Sequence, residues 1–134
     1  MRIRAQHGWF AVVLVIALAL PAGSAAARER LESTVTIKTG ETAAGQEFLK
    51  GKVKSKRAKC ERNRNVVLFW NAPGPPGGFT NVADDASDED GRWRILPPGT
   101  EVPPGQYYVK VTRIERRGDI CKGARSRTIT VPVS

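Results

Sequence analysis

Residues 54–70 read KSKRAKCERNRNVVLFW, six basic side chains around one cysteine and then an abrupt apolar run. The apolar half decides the fold. NVVLFW is hydrophobic on both faces of an extended chain, which suits a central strand covered on both sides rather than a surface strand. Val66, Leu68 and Trp70 then share one face. The basic half reads as a corner that leads into that strand, with Cys60 at its centre.

Working outward, the apolar residues keep a period of two. In STVTIKT (33–39) Val35 and Ile37 alternate with Thr34, Thr36 and Lys38. In FLKGKVKS (48–55) Leu49, Gly51 and Val53 face one way, while Lys50, Lys52 and Lys54 face the other. Phe48 breaks this parity and is expected at the strand's start. QYYVKVTRIE (106–115) points Tyr107, Val109 and Val111 inward. RTITVPV (127–133) is expected to bury Ile129, Val131 and Val133, with Pro132 at an edge or an end because it has no amide to donate. These are strands with one wet and one buried face.

Turn chemistry separates the runs. APGPPGG (72–78) and PPGTEVPPG (97–105) are loops, DEDG (88–91) is expected to turn a hairpin into RWRI (92–95), and ERRGD (115–119) is a tip. TGETAAGQEF (39–48) carries the one weak hint of helical spacing. The expected fold class is all-β, an antiparallel two-sheet sandwich of about seven strands closed by one disulfide.

The beginning of the chain reads differently. Arg2 and Arg4 precede an unbroken apolar run at residues 10–20, then Pro21 and small residues, with Ala25 and Ala27 placed for cleavage. Residues 1–27 are therefore expected to be a secretory leader and 28–134 a single domain. The run is shorter than the ~20 residues a spanning helix needs, so no transmembrane segment is expected after cleavage. Export determines how the cysteines read. The chain has two, and outside the cytosol they are expected to pair as Cys60–Cys121, a closure worth ~4 kcal/mol in the chain-entropy picture.

SDEDGRWRI and PPGQYYVKV together resemble the paired signature of carboxypeptidase-regulatory-like and transthyretin-like domains, relatives of bacterial Ig-like modules. The residues that carry it are Asp88, Asp90, Gly91 and Trp93, then Pro104, Gly105, Tyr107 and Val109. The resemblance implies an Ig-like or transthyretin-like sandwich acting as a structural or binding unit. If the strands run as in immunoglobulin-like sandwiches, the corners holding Cys60 and Cys121 fall at one end of the domain.

The only histidine, His7, lies in the expected leader. A Ser-His-Asp or Cys-His site therefore has no base, and paired cysteines leave no thiolate for zinc. No catalytic residue, metal ligand or cofactor is assigned. Asp84, Asp85, Asp88, Glu89 and Asp90 offer two alternatives, a small secreted hydrolase or a Ca²⁺-stabilised adhesion domain. Placed on an EF-hand loop with Gly91 at the sixth position, Ala86 and Pro97 fall where ligands belong, so that pattern fails. RGD at 117–119, LPPGT at 96–100 and APGPPGGF at 72–79 are too short or wrongly ordered to carry a function.

What remains is charge. The chain carries a net +9, of which only Arg2 and Arg4 belong to the leader. Lys50, Lys52, Lys54, Lys56, Arg57, Lys59, Arg62 and Arg64 form the candidate anion-binding set. The plain alternative is a solvated face that protects a strand edge. Aromatic residues are not interleaved with these cations, so no specific nucleic-acid binding is expected. The expectation is an exported non-catalytic module of the envelope or extracellular space. Its candidate partners are anionic cell-envelope polymer or another exported protein.

Overall fold

The computed structural model describes residues 28–134; the expected leader at 1–27 lies outside the described residues. Twelve strands follow one another, with one 3-10 turn among them. They are β1 (Arg30–Leu31), β2 (Ser33–Val35), β3 (Lys38–Glu41), β4 (Glu47–Ser55), the 3-10 turn (Ala58–Cys60), β5 (Asn65–Asn71) and β6 (Thr80–Ala86). Then come β7 (Arg92–Ile95), β8 (Gly105–Val111), β9 (Ile114–Arg116), β10 (Asp119–Cys121), β11 (Ala124–Arg125) and β12 (Ile129–Val131). The chain is all-β, as its two-residue period implies.

Three sheets result. In the first, β4 is central, with β7 on one side and β2 and β3 on the other. In the second, β5 lies between β6 and β8, and β11 and β12 both run along the far edge of β8. The third is small: β10 pairs parallel with β1 and antiparallel with β9. The main core takes residues from both larger sheets: Val35, Ile37, Leu49, Val53, Trp93 and Ile95 from one, and Val66, Leu68, Tyr107, Val109 and Val111 from the other. The apolar side chains expected to point inward from β2 through β5 and from β8 are thus buried, with Trp70 packed at the margin. Tyr108, on the outer face of β8, is buried as well, against Phe69, Phe79 and the Arg125 guanidinium.

Twelve strands and three sheets stand where about seven strands in two sheets were expected; β1, β9 and β10 form the additional sheet, and two further strands have one local cause. The edge run beside β4 and the one beside β8 are each broken by a hydroxyl residue. At Thr36 the amide donates to Lys52 O (3.0 Å), while Lys52 N donates to Thr36 Oγ1 (2.9 Å) instead of to a carbonyl. At Ser126 the amide donates to Val109 O (2.9 Å), and Val109 N donates to Ser126 Oγ (2.9 Å). A side-chain oxygen replaces a main-chain one, so the ladder stays satisfied while the strand is divided. β2 and β3 are two parts of one edge, and so are β11 and β12.

Other expectations are corrected. TGETAAGQEF is no helix but the turn joining β3 to β4, where Gly45 N donates to Thr42 O and Gln46 N to Thr42 Oγ1. DEDG does not turn a hairpin; it carries the chain from β6 in one large sheet to β7 in the other. Val133 is 72% exposed because the last strand stops at Val131, before Pro132. Phe48 keeps strand parity with Lys50, Lys52 and Lys54, on the outer face of β4. It is nevertheless only 7% exposed, because the Lys50 ammonium and the Arg94 guanidinium lie over its ring, 5.6 and 5.2 Å from its centroid.

Gly51 is what lets the Thr36 break press into the sheet. A Cβ there would lie 1.8 Å from Thr36 O, the same oxygen that accepts the Trp93 indole N–H at 3.2 Å. Gly51→Ala is expected to cost roughly 3 kcal/mol, because backbone rather than a side-chain tip must give way. Urea unfolding followed by tryptophan fluorescence should show the lowered midpoint.

Candidate anion-binding face

Alternation along β4 sends Lys50, Lys52 and Lys54 outward, and antiparallel register sets their neighbours. Lys50 lies between Lys38 of β3 and Arg94 of β7, and Lys52 lies opposite Arg92. Two rows of cations therefore cross the outer face of the first sheet, like charge beside like charge, an arrangement that costs stability by itself. Among the described residues, none of Lys38, Lys50, Lys52, Lys54, Arg92 and Arg94 has a carboxylate within salt-bridge distance. Together with Phe48, these side chains line an open groove of about 710 Å³. Asp85 and Asp88 also line this groove.

The carboxylates are partly committed. Asp88 Oδ1 accepts the amides of Asp90 (2.9 Å) and Arg92 (2.8 Å), and Asp85 Oδ2 accepts the amide of Arg94 (2.9 Å). They hold the crossing from β6 to β7 and thereby set where Arg92 and Arg94 stand. Asp84 and Asp85 are neighbours in β6 and so project to opposite faces of it. Among the described residues, no three His, Cys, Asp or Glu side chains gather as a metal-binding group.

The eight basic residues expected to act together are divided. Lys50, Lys52 and Lys54 lie on the groove. Lys56, Arg57, Lys59 and Arg62 belong to the corner around the 3-10 turn and do not line it. Arg57 pairs with Glu29 at 3.3 Å on the surface, and the Lys59 ammonium pairs with Asp119. The RGD aspartate is thus taken up by a lysine of the same chain and also accepts Glu29 N at 3.1 Å.

Arg64 is the correction. Its residue is 0% exposed, so it offers nothing to a ligand. Its Nη1 donates to Ser33 Oγ (3.0 Å) and Cys60 O (2.7 Å), and its Nη2 to Thr112 O (2.8 Å) and Lys122 O (3.0 Å). Burial, and then the charge of Arg116, lower its pKa to about 10, so it remains charged at neutral pH. Arg116 does similar work nearer the surface, donating to the carbonyls of Lys59, Arg62 and Asn63. Beside Arg64 lies the disulfide, Cys60 to Cys121 with Cα atoms 5.4 Å apart and a sequence separation of 61. Both cysteines are fully buried in a second small cluster with Leu31.

The sequence reading missed Lys38, Arg92 and Arg94 as site residues. RWRI carried the signal, since its arginines alternate with buried Trp93 and Ile95, but the register that sets them against the lysines is a tertiary fact. Comparison with protein-family models, curated proteins and solved structures finds no match to this chain.

The Lys59 side chain holds the Asp119 carboxyl below its ordinary range, with further help from the Glu29 amide. A depressed carboxylate adds stability above its unfolded pKa and loses it as pH falls through the folded one. Asp119→Asn should therefore be less stable than the parent at neutral pH, with the gap closing on acidification into and below the carboxylate range. Thermal melts of both proteins across that range check this.

Proposed function

We propose that the protein is an exported, non-catalytic β-sandwich module, Ig-like or transthyretin-like in kind, that holds anionic polymer on the outer face of β4 and β7. The observation that carries this reading is the double row of cations on one sheet face, paired like against like, none of which has a carboxylate of the described residues within salt-bridge distance. Such a surface stores unfavourable self-energy that a polyanion relieves.

Export is supported by the leader read in residues 1–27 and by the buried disulfide. Among the described residues no helix is long and apolar enough to cross a membrane. The Ig-like reading draws support from Tyr107, near the start of β8. Its hydroxyl donates to Pro103 O, four residues upstream, in the manner of the tyrosine corner of Ig-like sandwiches. Burial pushes the pKa of that phenol up to about 12, so the proton that makes the bond is retained.

Retention on heparin or phosphocellulose should fall steeply as salt rises, because each neutralised anionic group releases counterions. Replacing Lys50, Lys52, Arg92 and Arg94 by Gln should flatten the salt slope by roughly 0.7–0.9 for each anionic group no longer neutralised. Replacing Lys56 and Arg57 by Gln should leave most of it. Retention indifferent to salt, or equal losses from both sets, would remove the proposal.

A further inference from the structure

We infer that the groove on β4 and β7 takes an acidic polysaccharide, a hydroxyl-rich chain bearing carboxylate or sulfate groups, in preference to polyphosphate or nucleic acid. This rests on the reading of that face as a polyanion site and names the class of its ligand.

The argument starts from the two carboxylates among the cations. Asp85 Oδ2 and Asp88 Oδ1 serve main-chain amides, but Asp85 Oδ1 and Asp88 Oδ2 receive no hydrogen bond from the described residues. Asp88 is exposed and Asp85 half-buried, and both line the groove that holds Lys50, Lys52, Arg92 and Arg94. A ligand that fills the groove must therefore present anions to the cations and hydrogen-bond donors to the carboxylates. A carboxylate oxygen only accepts. A polyphosphate chain presents acceptor oxygens along its length, so against Asp85 and Asp88 it meets like charge with no bond in return. An acidic polysaccharide meets both demands, since each sugar carries hydroxyl donors beside its anionic group.

The aromatic residues argue the same way against single-stranded nucleic acid. Base stacking needs an open ring face. Trp93 is 2% exposed and Phe48 7%, the latter lying beneath Lys50 and Arg94. Neither offers a platform. Along β4 the lysines repeat every ~6.6 Å and the strands lie ~4.8 Å apart, so the cations form a grid suited to an extended chain lying across several strands.

The test titrates the full chain with polygalacturonate and with inorganic polyphosphate of matched total charge. Three proteins are compared: the parent, Asp85→Asn with Asp88→Asn, and Lys52→Gln with Arg92→Gln. Asparagine keeps the carbonyl oxygen that the main-chain amides use, and unchanged melting curves verify the fold. Removing two negative charges alters the general attraction for both polymers alike, so the ratio of affinities is the quantity to read. The parent should favour polygalacturonate, and the double asparagine variant should lower that preference about tenfold, through the loss of two charged acceptors. The Lys52/Arg92 variant should weaken both polymers. A preference unmoved by the asparagine pair, or a parent that prefers polyphosphate, overturns the inference while leaving the face a polyanion site. A parent that binds neither polymer, or a Lys52/Arg92 variant that binds as the parent does, overturns both.

Discussion

The end of the domain that carries the disulfide is organised by a cation with no anion. Arg64 comes just before the most apolar strand, yet its guanidinium is enclosed and charged, held by three carbonyl oxygens and one hydroxyl. Those acceptors come from β2, from the 3-10 turn and from the segments on either side of the β9–β10 hairpin. One side chain thereby fixes how the small sheet sits against the two large ones. A lysine could not serve, because a single ammonium cannot present the planar fork that reaches four separate acceptors. The disulfide lies in the same layer, and Arg64 bonds to the carbonyl of one of its cysteines and to that of the residue following the other. Covalent and polar constraints thus act on the same backbone, and Arg116 closes the corner from outside.

This division of labour changes how the positive charge reads. A continuous basic run in sequence separates into a structural part and an exposed part. At the corner, Arg64 and Arg116 are taken up by carbonyls, Arg57 by Glu29 and Lys59 by Asp119. On the β4–β7 face they are left facing each other. The polyanion reading belongs to the second group alone, and the acids that line its groove hold the backbone from which two of its arginines project.

Much of the architecture was legible because burial imposes a strict two-residue period. Val35, Ile37, Leu49, Val53, Val109 and Val111 declare their side by alternation, Val66 and Leu68 share a face of a run that is apolar on both, and two cysteines allow only one pairing. What alternation cannot show is which strand lies beside which. β6, with the sequence TNVADDA, shows no clean alternation because its acids mask the pattern; it is a strand because β5 supplies a partner along nearly its whole length. Arg64 was misplaced for a related reason. Its charge suggests solvent, and only the convergence of four acceptors from distant parts of the chain makes burial tolerable. Lys38, Arg92 and Arg94 escaped notice because membership of a face spanning three strands depends on register.

The hydroxyl breaks at Thr36 and Ser126 have a consequence for the protein at high concentration. An uninterrupted edge strand offers another chain a regular series of free amides and carbonyls, a template for fibril growth. Here the outer edges of β4's and β8's flanking runs are each cut into pieces of two to four residues. A second molecule laid against either border would find its register lost after a few bonds. Threonine and serine, by standing in for main-chain oxygens on the inner side, leave the outer margins too irregular to extend.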